Sequence, residues 1–76
     1  MNGEQFPQRL RRLRTEKKLT QAALAGLCGL HANAIVTHES GQYMPTVKNL
    51  CELADFFGVS VEFLLCRTDD PRLERD

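Results

Sequence analysis

No apolar run in the 76-residue chain approaches the roughly 18–20 residues that span a bilayer, so a membrane-spanning helix is excluded. The basic N-terminal stretch MNGEQFPQRLRRLR is followed by no apolar segment. No secretory leader is therefore expected, and the cytoplasm is the expected compartment. Cysteine is sparse: Cys28, Cys51 and Cys66 are odd in number, widely spaced and form no CxxC pair, against both a disulfide framework and zinc. Cys28 and Cys51 fall at apolar positions of helical patterns and read as small core residues. No ligand spacing joins them to His31 or His38. Nucleophile–base sets and phosphate-cradling glycine loops are missing too, so neither an enzyme, a cofactor, a metal nor a small-molecule ligand is expected.

Net charge is also missing, with ten basic residues against ten acidic ones. The balance hides an asymmetry. Six of the ten basic residues lie within 9–18 and seven of the ten acids within 52–76, so a neutral chain can still carry a positive face at one end. A solvated helix face is the plainer explanation of the same basic run.

What is present is helical periodicity without strand alternation or repeats. Five helices are expected, in an all-α domain over 1–66 followed by a polar, flexible tail over 67–76. The first spans about 5–18, with Phe6, Leu10 and Leu13 on one face and Pro7 in its first turn. Thr20 caps the second, about 21–28, which turns Leu24, Ala25 and Cys28 inward and ends at Gly29. The third spans about 31–39. Thr46 caps a fourth with Val47, Leu50, Cys51, Ala54 and Phe57 inward, and Gly58 stops it. Ser60 caps the last, VEFLL.

Residues 20–41, TQAALAGLCGLHANAIVTHESG, contain the informative unit. Two short helices that cross steeply need a small residue at the crossing, a turn residue tolerant of positive φ, and a stiff apolar side chain returning to the core. Ala25, Gly29 and Ile35 supply these in order. The spacing is that of a helix-turn-helix.

LRRLRTEKKLTQAALA, GLHANAI, HESG and MPTVKNLCELADFFGVSVEFLLCRTDDP together resemble the phage-repressor helix-turn-helix regulators of the Cro-like, XRE type. The resemblance covers about residues 6–70. It implies a lambda-repressor-like five-helix fold and a sequence-specific regulator of transcription, most simply a repressor binding double-stranded DNA as a homodimer. It implies that Gln21 meets a backbone phosphate, that the third helix lies in the major groove, and that Arg14 and Glu39 tie the first helix to the third. The residues agree on Arg14, which lies on the edge of the buried stripe where an unpaired charge is costly. It also implies an isologous dimer through the last helix and the 42–45 loop, with Val61, Phe63, Leu65 and Met44 at the interface.

The sequence departs from this pattern at His31, where a Ser or Thr cap is usual, at Lys18, where Gly is common, and at His38, where an apolar or aromatic residue is usual. His38 reads as a half-buried residue packed on the first helix, with a pH switch as the alternative. The segment LHANAIVTHE has no Arg or Lys. Its outward residues His31, Ala32, Asn33, Val36 and Thr37 can still read base edges: an amide bonds adenine, and Ala, Val or a Thr methyl meets thymine methyls. Arg9 and Arg12, with Ser40, Gln42 and Lys48, are the expected phosphate contacts beside Gln21. Two alternatives stay open. Ala32 and Val36 can be plain exposed apolar residues, with Asn33 only a cap. Or the fold can hold a protein partner, as an antitoxin or anti-repressor does.

Overall fold

The computed structural model describes residues 3–73, all helix and loop. The order is α1 (Phe6–Glu16), α2 (Gln21–Leu27), α3 (Ala34–Ser40), α4 (Val47–Phe57) and α5 (Val61–Leu64). α1 packs on α3 and α5, α2 on α3, and α4 on α5. Phe6, Leu10, Leu24, Ala25, Cys28, Ile35, Leu50, Leu53, Ala54, Val59, Phe63 and Leu64 form one core, with Leu13 and Leu30 half-buried against it. Among the described residues no helix is long and apolar enough to cross a membrane.

The helix starts follow capping chemistry. Thr20, Thr46 and Ser60 each accept a hydrogen bond from the backbone N–H three residues on, at 3.0, 3.2 and 3.0 Å. The ends of α1, α2, α4 and α5 share one motif. At the end of α2, Leu30 N–H reaches the Ala25 carbonyl at 2.8 Å and Gly29 N–H that of Gly26 at 3.2 Å, with Gly29 at φ +68°. α1 closes likewise through Leu19 and Lys18, and here a lysine takes the left-handed position at φ +58°.

Several expectations are corrected. α1 is shorter than 5–18. α3 begins at Ala34 rather than 31, because residues 31–33 form a turn in which Ala34 N–H meets the His31 carbonyl at 2.9 Å. Cys51 is exposed and Leu53 takes the core position, since the buried stripe of α4 runs Leu50, Leu53, Ala54 and Cys51 lies one residue, about 100°, off it. Val47, expected inward, is 76% exposed in the first turn of α4. Phe63, expected at a dimer surface, is core, while Val61 and Leu65 are half-buried against it. The tail is held further than expected: the Pro71 carbonyl accepts from Ser60 N–H at 3.1 Å, and Thr68 and Asp69 bond Arg9. Residues 74–76 of that expected tail lie outside the described residues.

Candidate nucleic-acid interface

α3 divides cleanly between two sides. Ile35, His38 and Glu39 point inward. His31, Ala32 and Asn33 are exposed in the turn ahead of the helix, Val36 is 46% exposed on it, and Thr37 is half-buried. The Asn33 side chain makes no capping bond; the turn is closed instead by His31, whose Nδ1 accepts from Asn33 N–H at 3.2 Å. Asn33 therefore offers an uncommitted amide, flanked by the small apolar surfaces of Ala32 and Val36. Beyond the helix, Ser40 Oγ donates to the Thr37 carbonyl at 2.6 Å and accepts from Gln42 N–H at 3.2 Å, so its hydroxyl shapes the loop. Gln42 and Lys48 are exposed.

The inner side locks α3 to the other helices. The Glu39 side chain is 1% exposed. Its Oε2 accepts from Arg14 Nε at 2.6 Å, and its Oε1 from Arg14 Nη2 at 2.9 Å and Gln21 Nε2 at 3.1 Å. Arg14 also donates to the Leu19 carbonyl at 2.7 Å, closing the turn after α1. Burial pushes the Glu39 carboxyl up, but Arg14, Gln21 and Arg11 together hold it below the ordinary carboxylate value. One carboxylate thus joins α1, α2 and α3, and fixes Gln21 at the start of α2. His38 is buried beside it: Nδ1–H donates to the Tyr43 carbonyl at 3.3 Å, the ring is 6.4 Å from that of Phe6, and Nε2 is buried with no hydrogen-bond partner among the described residues.

The basic run splits by burial. Arg9, expected at a phosphate, is 2% exposed. It donates to Glu4 at 2.8 Å, to the Phe63 and Thr68 carbonyls at 2.8 and 2.9 Å, and to Asp69 at 3.0 Å. That is a fold role, set by a position three residues after Phe6 on the same helix face. Arg12 stays partly exposed but is engaged by Glu4 and Glu16. Arg12 chiefly, against the opposing effect of burial and with Arg9 assisting, draws the Glu4 carboxyl down to about 2. Arg11, expected only as part of the basic run and not singled out with Arg9 and Arg12, is the arginine of α1 left most open, its side chain 61% exposed and its Nε 3.4 Å from Glu39. Its spacing of three from Arg14 was the signal available for it. A second surface is apolar: Tyr43 and Met44 precede Val47, and Cys51 follows one turn later, all exposed. Among the described residues no group of three or more His, Cys, Asp or Glu could hold a metal.

This geometry has known counterparts. The helix-turn-helix family HTH_3 matches residues 10–64. The chain is similar to the HTH-type transcriptional regulator YobD of Bacillus subtilis, 39% identical over 66 residues, which are 87% of this chain and 59% of that protein. It is similar to the HTH-type regulator YonR, SPbeta prophage-derived, of the same organism, at 35% over 60 residues, 79% of this chain and 56% of that protein. The chain thus spans little more than half the length of these two relatives. Among solved structures, the P22 c2 repressor in complex with a synthetic operator superposes with a TM-score of 0.77 at 31% identity, covering 82% of this chain and 94% of that one. The restriction-modification controller protein C.AhdI of Aeromonas hydrophila gives 0.71 at 39%, covering 78% and 89%. With the α2–α3 unit, its Gly29 turn and the Arg14–Glu39 tie in place, the chain belongs to the helix-turn-helix family in its lambda-repressor-like, XRE branch.

Proposed function

We infer that the chain is the DNA-binding part of a transcriptional regulator, a repressor of the Cro-like kind, acting in the cytoplasm on double-stranded DNA. The observation that carries this is the outward side of the turn before α3 and of its first residues, where the uncommitted Asn33 amide stands between Ala32 and Val36 at the start of a helix pinned from behind by Glu39. α3 lies in the major groove, with His31, Ala32, Asn33, Val36 and Thr37 toward base edges. Asn33 pairs with an adenine edge and the apolar neighbours meet thymine methyls, giving an A·T-leaning site. Gln21, Gln42 and Lys48 face phosphates. The similarity to an operator-bound repressor supports the same docking.

Two copies bind half-sites about one helical turn apart. The pairing surface is the exposed row Tyr43, Met44, Val47 and Cys51 rather than the buried Phe63 or the half-buried Val61 and Leu65. Exposed apolar side chains in one stretch mark a protein contact. The cation-free, partly apolar α3 favours one other reading, a protein-binding module such as an antitoxin. Sedimentation with a duplex selected from a random pool separates the two. Two chains per duplex, released as salt rises, support the DNA reading; no salt-dependent complex with any duplex overturns it.

A further inference from the structure

We infer that Arg11 is the α1 side chain that takes a backbone phosphate of the duplex, held beside Gln21 by their common acceptor, Glu39. The inference rests on the DNA-binding reading and adds a contact to it. The other cations of α1 are spent or turned away. Arg9 is enclosed by Glu4, Asp69 and two carbonyls, and Arg14 by Glu39 and the Leu19 carbonyl. Arg12 is engaged by Glu4 and Glu16. Lys17, past the end of α1, has its ammonium 5.8 Å from the Phe56 ring of α4.

Arg11 differs on each count. Its only side-chain hydrogen bond among the described residues is Nε to Glu39 Oε1 at 3.4 Å, the longest of the four that carboxylate accepts. Both terminal nitrogens are free, in a side chain that is 61% exposed. Gln21 Nε2 lies 3.1 Å from the same oxygen. Two donors at 3.4 and 3.1 Å from one oxygen lie no more than about 6.5 Å apart, a span that the oxygens of a single phosphodiester can bridge at ordinary hydrogen-bond lengths. Gln21 retains a second N–H for it, since only one is used on Glu39. Charge points the same way. Arg11 and Arg14 face one carboxylate, so the junction keeps one positive unit. The negative partner is buried while Arg11 is outside, so an approaching phosphate meets the cation first. Because Oε1 keeps Arg14 and Gln21, Arg11 can leave it without exposing an unpaired carboxylate.

The test uses the full chain and a duplex it selects. Arg11→Ala is expected to weaken binding roughly tenfold and to lower the log–log salt slope by about one, with melting unchanged. Arg11→Lys should recover most of the affinity, and Arg67→Ala, a control cation after α5 that is paired with Glu62, should leave the slope alone. In a series of duplexes with single phosphates replaced by methylphosphonates, one position per half-site should weaken the wild type clearly more than Arg11→Ala, in which only the Gln21 contact to that phosphate remains. A wild-type slope for Arg11→Ala, with no methylphosphonate position losing part of its effect, overturns the Arg11 assignment while leaving DNA binding intact. A wild type that shows no salt-dependent binding overturns the DNA reading itself.

Discussion

The guanidinium carbon of Arg9 lies 4.2 Å from the centre of the Phe63 ring, across 54 residues of chain. The stack sits in the core, and the same guanidinium bonds the Phe63 carbonyl. Arg9 is thus the pin that holds α1, α5 and the segment after it together. Removing one partner of a buried charged network costs about 3–5 kcal/mol. Arg9→Ala should therefore lower Tm by at least about 10 °C in a domain of this size. Arg12→Ala, at a partly exposed pair, should cost under about 1 kcal/mol. Scanning calorimetry on both checks this. Normal melting of Arg9→Ala together with a flattened salt slope would return Arg9 to the phosphates.

Acid should loosen the fold in a defined window. The Glu4 carboxyl is held at about 2, against an ordinary 4.5, chiefly by Arg12, with burial opposing and Arg9 assisting. Glu39 is shifted in the same direction. A depressed folded value means the stabilisation is fully present above the ordinary carboxylate value. It is lost as pH falls from about 4.5 through about 2. Urea midpoints should hold steady from neutral pH to near the upper limit and then drop, with Glu4 contributing about 1–3 kcal/mol. Glu4→Gln should remove part of the drop. A midpoint that rises on acidification would contradict the assignment.

Lys18 occupies a left-handed position that favours glycine. A side chain there costs roughly 1–2 kcal/mol, partly offset by the freer unfolded chain of glycine. Lys18→Gly should therefore stabilise the domain by about 0.5–1 kcal/mol. A loss of stability by equilibrium unfolding would show that Lys18 makes a compensating contact.

The turn before α3 is closed by the His31 ring, not the Asn33 side chain. His31→Ala should cost about 0.5–1 kcal/mol, like the loss of a cap. Asn33→Ala should stay within about 0.5 kcal/mol of wild type. Reversed sizes in the same unfolding experiment would make Asn33 the structural residue.

The helix order, the caps at Thr20, Thr46 and Ser60, the Gly29 turn and the inward Ile35 were legible in the sequence because each depends on neighbours within a turn or two. Arg9 was misread because its partners lie elsewhere. Asp69 is 60 residues away, and the Phe63 carbonyl is a backbone group that no side-chain pattern marks. Cys51 was misread by one position of register: Leu50, Leu53 and Ala54 define the buried stripe, and residue type alone did not choose between Cys51 and Leu53. The start of α3 moved from 31 to 34 because His31 serves as an acceptor through its ring, a role its residue type does not advertise.

The central claim is that the outward side of α3 and the turn before it reads base edges through Asn33, and selection from a random duplex pool tests it most directly. Wild-type protein should enrich two half-sites about one helical turn apart, with a fixed adenine in each. Asn33→Ala should enrich the same half-site spacing with that adenine position randomised. No enriched sequence for the wild type, or the same adenine enriched by Asn33→Ala, would contradict the claim.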